Sequence, residues 1–96
     1  MYLLSCRDKA DALDLRLANR PAHLDYVGAQ GEIVFFAGPM VDDADEAPQG
    51  SVFLLNVDTR ADVEAFNASD PYTQANLWAE VSIQRVRQVV PAPEAS

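Results

Sequence analysis

His23 is the single histidine of the chain, and an imidazole is the side chain best suited to carry a proton between groups near neutral pH. It follows Pro21, a residue favoured at a first helical position. A helix starting there would place His23 in its first turn, where unpaired backbone donors and the positive dipole end disfavour the imidazolium. A neutral imidazole at that place could act as a base. Asp70 precedes Pro71 and on residue types alone reads as a helix cap. Within hydrogen-bond reach of His23 it would instead fix the imidazole tautomer and leave the second ring nitrogen for proton transfer. Arg20 could hold an anionic group or be an ordinary surface cation. Gly38 and Pro39 could form a tight turn whose missing side chain lets a ligand reach the backbone, or they could simply end a strand. Tyr72 could pack or turn its hydroxyl toward a pocket.

Other chemistry is poorly supported. Cys6 is the only cysteine, so no intrachain disulfide forms, a thiolate metal site lacks ligands, and the residue reads as a small buried hydrophobe. Ser5 and Ser51 have no nucleophile motif around them. The acidic run Asp42-Asp43-Ala44-Asp45-Glu46 does not continue as a calcium loop with a Gly and a distal Glu, and reads as a solvated loop. Neither a metal nor a cofactor is therefore expected.

Secondary structure must bring the candidates together. The run 2–7 is apolar and partly aromatic and predicts a first strand. Helical spacing over 9–19, with Leu13 and Leu17 on one stripe, is interrupted by Pro21. Two helices are thus predicted, the second running from Pro21 to about Gln30, burying Ala22, Leu24 and Val27, and stopping at Gly31. Residues 32–38 predict a strand closing on Gly38-Pro39, with Ile33, Phe35 and Ala37 on one face and Val34 and Phe36 on the other. A loop from Met40 to Gly50 leads to a strand over 51–57. Thr59 with Asp62 resembles a capping box opening a helix over 59–67 that buries Val63 and Phe66, with Asp58 or Thr59 as the cap itself. A short helical turn at Asp70-Pro71 and an extended segment over 78–90 follow. The expectation is one domain over 1–90 with a loose tail over 91–96.

The order is βαββαβ with short added helices, the α+β ferredoxin-like order. It predicts a four-stranded antiparallel sheet with the third strand beside the first and both helices on one face. Up-and-down tracing then carries His23, Gly38-Pro39 and Asp70 to the same sheet edge. The other sheet face stays bare yet carries apolar side chains, and covering it with the same face of another copy predicts a homodimer.

Three motifs in order, Arg20-Pro21-Ala22-His23-Leu24, Ala37-Gly38-Pro39 and Ser69-Asp70-Pro71-Tyr72, resemble those of the YciI-like (YCII-related) family. The likeness extends to the opening strand, to 8–13 and to the final strand. The resemblance implies a ferredoxin-like fold of the dimeric α/β-barrel type. It also implies a site built on a His-Asp pair, which maps to His23 and Asp70 and moves Asp70 from cap to functional residue. The family is similar to muconolactone isomerase and includes a dehydrochlorinase acting on chlorinated hydroxyhydroquinones. Proton abstraction or elimination on a small ring compound or lactone is the reaction class so implied.

Composition removes other classes. Of 96 residues, 15 are Asp or Glu and 7 Lys or Arg, a net charge of -8, opposite to the clustered cations that neutralise phosphates in nucleic-acid binding. The longest apolar runs fall far short of the roughly 20 residues of a membrane span. The sequence thus points to a cytoplasmic, homodimeric small-molecule enzyme using His23 and Asp70, with Arg20, Gly38, Pro39 and Tyr72 shaping the pocket. The alternative is a non-catalytic metabolite-binding or accessory module using the same pocket.

Overall fold

In the computed structural model, residues 1–44 and 46–93 are described. Asp45 of the acidic run and residues 94–96 of the expected tail lie outside them. The elements are β1 (Tyr2–Asp8), α1 (Leu13–Gly28), a 3-10 turn (Gly31–Ile33), β2 (Val34–Met40), β3 (Gly50–Leu55), α2 (Arg60–Ser69), the one-turn α3 (Pro71–Gln74) and β4 (Trp78–Arg85). The strands form one antiparallel sheet in the order β2-β3-β1-β4, so the chain has the ferredoxin-like α+β fold of the dimeric α/β-barrel type.

Strand alternation gives the sheet two faces. Tyr2, Leu4 and Cys6 of β1 and Phe53 and Leu55 of β3 are buried with Val63 and Phe66 of α2, Tyr72 of α3, Leu77 and Trp78. Helix α2 begins where expected: Thr59 Oγ1 accepts from the Asp62 backbone, and Asp62 Oδ2 accepts from the Thr59 backbone. This pair satisfies two of the donors a helix start leaves free. Gly50 is required by close approach, since a Cβ there would lie 2.5 Å from the Cys6 carbonyl oxygen.

Helix α1 corrects the expectation of two helices. It starts at Leu13, after a turn in which Asp11 takes φ 55°, and passes through Pro21 to Gly28. Pro21 removes one intrahelical bond, but only an unbroken helix keeps Arg16, Arg20, His23 and Val27 on one stripe. Arg16 and His23 are the buried residues of α1, and their bonds to Asp8 and Asp70, described below, oppose the break that proline favours. Leu13, Leu17 and Leu24, read as buried, are exposed at 42%, 51% and 48%, and Ala22 is exposed too. Val27 does pack against the core. The helix ends at Gly28, with Gly31 at φ 63° opening the 3-10 turn.

Strand β2 continues through Gly38-Pro39 instead of turning there. Pro39 is tolerated because β2 is an edge strand, where a missing donor breaks no second ladder. A bulge between Val34 and Phe36 interrupts the expected alternation. Val34 and Ala37 consequently pair with Leu55 and Phe53, while Phe36 and Gly38 pair with Leu54 and Val52 on the opposite, helix-free face. Phe35 and Phe36 are 57% and 56% exposed. The final strand stops at Arg85, short of Val90; the segment from Val86 to Pro91 borders a groove with Phe35 and Leu54.

Candidate active site

A cavity of about 500 Å³ opens between α1, β2, the β2–β3 loop and α3. That volume suits one small ligand. Arg16, Leu17, Arg20, His23 and Leu24 line it from the helix, Ala37, Gly38 and Pro39 from β2, Ser51 and Phe53 from β3, and Tyr72 from α3. All six residues singled out above, His23, Asp70, Arg20, Gly38, Pro39 and Tyr72, lie in or directly behind this cavity.

His23 sits in the interior of α1, not in its first turn, so the argument from the helix N-terminus does not apply to it. Its Nδ1 is 2.8 Å from Asp70 Oδ1. A carboxylate can only accept, so Nδ1 carries the proton and Nε2 holds the lone pair of the neutral ring. Asp70 is fully buried, and the same Oδ1 accepts from the Tyr72 backbone N–H at 2.9 Å, which caps α3. Asp70 is therefore a cap and a histidine partner at once. Its Oδ2 is buried without a partner among the described residues, so two donors converge on one oxygen and hold the carboxylate's position.

Tyr72 is 1% exposed and stacks on the imidazole at 3.9 Å between centroids, with a 15° interplanar angle. The Arg16 guanidinium lies 4.6 Å from the Tyr72 ring centroid, and Trp78 meets the Tyr72 ring edge-on at 5.6 Å. Phe53 meets His23 edge-on at 6.0 Å. The Tyr72 and Phe53 contacts restrain the imidazole plane. Burial pushes the Tyr72 phenol up, against the positive charges of Arg16 and Arg20, which pull it down.

Arg16, Asp8 and Ser51 are site residues that the sequence reading missed. Arg16 Nε and Nη2 donate to the two Asp8 carboxylate oxygens at 2.7 and 2.9 Å, and Nη2 also donates to Ser51 Oγ at 2.9 Å. Burial opposes the guanidinium charge, but hydrogen bonding to Asp8 and its charge outweigh that and hold Arg16 still more firmly protonated. Accepting from a cation polarises the Ser51 hydroxyl for donation. The available signal was spacing: Arg16, Arg20 and His23 follow a helical four-three interval that an apolar-stripe search passes over.

Arg20 is exposed on the cavity wall. Gly38 contributes backbone alone. The Cβ it lacks would lie 3.5 Å from the Phe36 ring, on the face away from Ala37 and Pro39, so the glycine does not open the cavity. Cys6 is buried behind the site, its Sγ 3.8 Å from Asn67 Oδ1. Burial, with help from the charges of Asp70 and Asp8, pushes its thiol up to about 12, which leaves it protonated and inert. Among the described residues no group of three or more His, Cys, Asp or Glu is placed to hold a metal ion, and no helix is long and apolar enough to cross a membrane.

Comparison with known proteins bears on the family and the fold. The family model described as YCII-related domain matches residues 1–87. The protein YciI of Escherichia coli O6:H1 is 32% identical over 97 residues, spanning 93% of this chain and 98% of that protein. YciI of Shigella flexneri matches equally. Among solved structures, the 5-chloro-2-hydroxyhydroquinone dehydrochlorinase of Burkholderia phenoliruptrix AC1100, in complex with 2,5-dihydroxybenzoquinone, superposes with a TM-score of 0.84 at 24% identity, covering 90% of this chain and 92% of that one. An antibiotic biosynthesis monooxygenase gives 0.51 at 17% identity over 91% and 97%. Both likenesses speak to the fold.

Proposed function

The chain belongs to the YCII-related family, and from that premise we propose that it is a small cytoplasmic enzyme, a homodimer, that moves a proton on a small aromatic or lactone substrate by general acid-base catalysis at His23. The observation that carries this reading is the contact between His23 Nδ1 and Asp70 Oδ1 at 2.8 Å beside a cavity of about 500 Å³. Asp70 holds the proton on Nδ1, so Nε2 is the basic atom and takes a proton from substrate carbon or oxygen. The imidazolium then formed stays paired with a fully buried carboxylate, and it returns the proton to a second position or to solvent. Return elsewhere gives isomerisation; loss of a leaving group such as halide gives elimination.

Negative charge that builds on the substrate during proton removal needs fixed donors. Arg20 supplies an exposed cation on the cavity wall, and the Ser51 hydroxyl, polarised by Arg16, supplies a donor. Tyr72 lines the cavity from the stack, and Pro39 with the Gly38 backbone forms the β2 wall. The scheme is proton transfer throughout and calls on neither metal nor cofactor. A planar ring fits the support: the dehydrochlorinase with the same fold was solved with 2,5-dihydroxybenzoquinone.

Screening small lactones and halogenated phenols for turnover or for exchange of carbon-bound hydrogen with solvent deuterium tests the proposal. Turnover that His23→Asn removes supports it. A substrate that binds at the cavity and is turned over equally by His23→Asn contradicts it, and tight binding without any turnover supports the metabolite-binding alternative.

Dimerisation uses the helix-free sheet face, where Leu3, Phe36, Val52 and Leu54 share one side with Phe35 beside them. Half-exposed aromatics on a sheet face gain most from pairing with their own copy. Sedimentation at micromolar concentration is expected to give twice the chain mass, and Phe36→Glu to give the monomer with its secondary structure intact. A monomeric wild type would rule out this interface.

A further inference from the structure

The acidic loop between β2 and β3 enters the cavity: Glu46 and Pro48 line it together with Arg20, His23 and Tyr72. We propose that Glu46 is a specificity-determining residue of this pocket, selecting ring ligands that carry one anionic group for Arg20 and a hydroxyl donor for Glu46, and rejecting dianions. The inference rests on the pocket being the ligand site proposed above and adds which ligands it admits.

Charge accounting around the cavity supports the assignment. Arg16 is compensated by Asp8 and sits below the surface, and the buried Asp70 carboxylate accepts from His23 Nδ1 and the Tyr72 N–H. Arg20 and Glu46 line the same cavity from different elements, helix and loop, both exposed, and no ion pair joins them among the described residues. An exposed cation and an exposed carboxylate therefore face an incoming ligand. A ligand anion is drawn to the guanidinium, and a hydroxyl can donate to the carboxylate in a charge-assisted bond. A second anion at the Glu46 side meets like charge.

The loop base is tied down, so Glu46 is not carried on a free strand. Gln49 N donates to Met40 O at 2.8 Å, and Gln49 O accepts from Asp8 N at 2.9 Å. Asp42 organises the loop's first turn, accepting from Ala44 N at 3.1 Å and from Gln49 Nε2 at 3.1 Å. Asp8 is also the partner of Arg16, so loop and site share an anchor.

Two probes of matched shape test the inference on the whole chain, 4-hydroxybenzoate and terephthalate, with dissociation constants from calorimetry and the His23 ring signals reporting occupancy of this cavity. The wild type is expected to favour 4-hydroxybenzoate by about tenfold at low salt, less at high salt. Glu46→Gln, a surface change that leaves folding intact, should bring the two within about twofold, and Glu46→Lys should reverse the order. Probes that bind at His23 with a ratio unchanged by Glu46→Gln would overturn the role of Glu46 while leaving the pocket standing. Failure of both probes to perturb His23 would overturn this inference and the ligand site beneath it.

Discussion

Replacing His23 with asparagine lowers the proton-transfer rate by roughly 10²- to 10⁴-fold, the range general acid-base catalysis contributes. Asparagine suits the test because its side-chain amide can still donate to Asp70 Oδ1 and fill part of the space between Tyr72 and Phe53. What it lacks is a second nitrogen able to take up a proton. The loss should therefore fall on kcat, with substrate binding nearly unchanged, since Arg20 and the cavity walls remain. Single-turnover rates of wild type and variant on a substrate found by screening decide the matter. A variant that keeps its kcat would place the base elsewhere, and one that loses only affinity would make His23 a binding group.

The largest stability effect belongs to Arg16. Arg16→Ala leaves the Asp8 carboxylate, 7% exposed at its side chain, buried without its cation, and removes the guanidinium from its place against Tyr72 and Trp78. Breaking a buried ion pair from one side costs about 3–5 kcal/mol. For a domain of this size that corresponds to a fall of at least roughly 12 °C in melting temperature. Thermal unfolding of the single variants and of the apolar double replacement Asp8→Leu with Arg16→Met separates two effects. The double variant should recover most of the loss, because the cost lies in an orphaned charge more than in a missing attraction. Single variants within about 1 kcal/mol of wild type would mean that the pair behaves like an exposed salt bridge and does not brace Tyr72.

The reach of the sequence follows from what each signal depends on. Strand order, the Thr59–Asp62 box and the buried Val63 and Phe66 were legible because they follow from local chemistry and apolar period, which the tertiary structure reinforces. Helix α1 was misread because the usual polarity is inverted there. Its buried positions are Arg16 and His23 and its leucines are exposed or line the cavity, so Pro21 looked like a boundary. The proline is tolerated because the Arg16–Asp8 ion pair and the His23–Asp70 hydrogen bond, reaching β1 and the residue before α3, need one continuous stripe. Pro39 likewise marked a turn until the sheet order put β2 at the edge.

For the site, residue types and topology brought His23 and Asp70 to one edge, and the structure places them 2.8 Å apart. The dipole rationale does not survive, since His23 lies inside a helix; what Asp70 governs is which ring nitrogen of the neutral form carries the proton. Arg16, Asp8 and Ser51 stayed invisible because a buried guanidinium bridging two strands is a long-range arrangement with no local motif. Glu46 was part of a charge run that reads as solvent-facing until the hairpin folds it back over the cavity.

Everything in the proposed mechanism depends on which ring nitrogen of His23 carries the proton. With one histidine in the chain, a ¹⁵N-labelled sample gives one pair of ring-nitrogen signals, and their shifts and couplings to the ring protons report the tautomer directly. The account predicts the Nδ1–H form for the neutral ring, with Nε2 unprotonated, and loss of that preference in Asp70→Asn. A neutral ring protonated at Nε2, in the wild type with its fold intact, would mean that Asp70 does not set the tautomer and that the basic atom does not face the cavity.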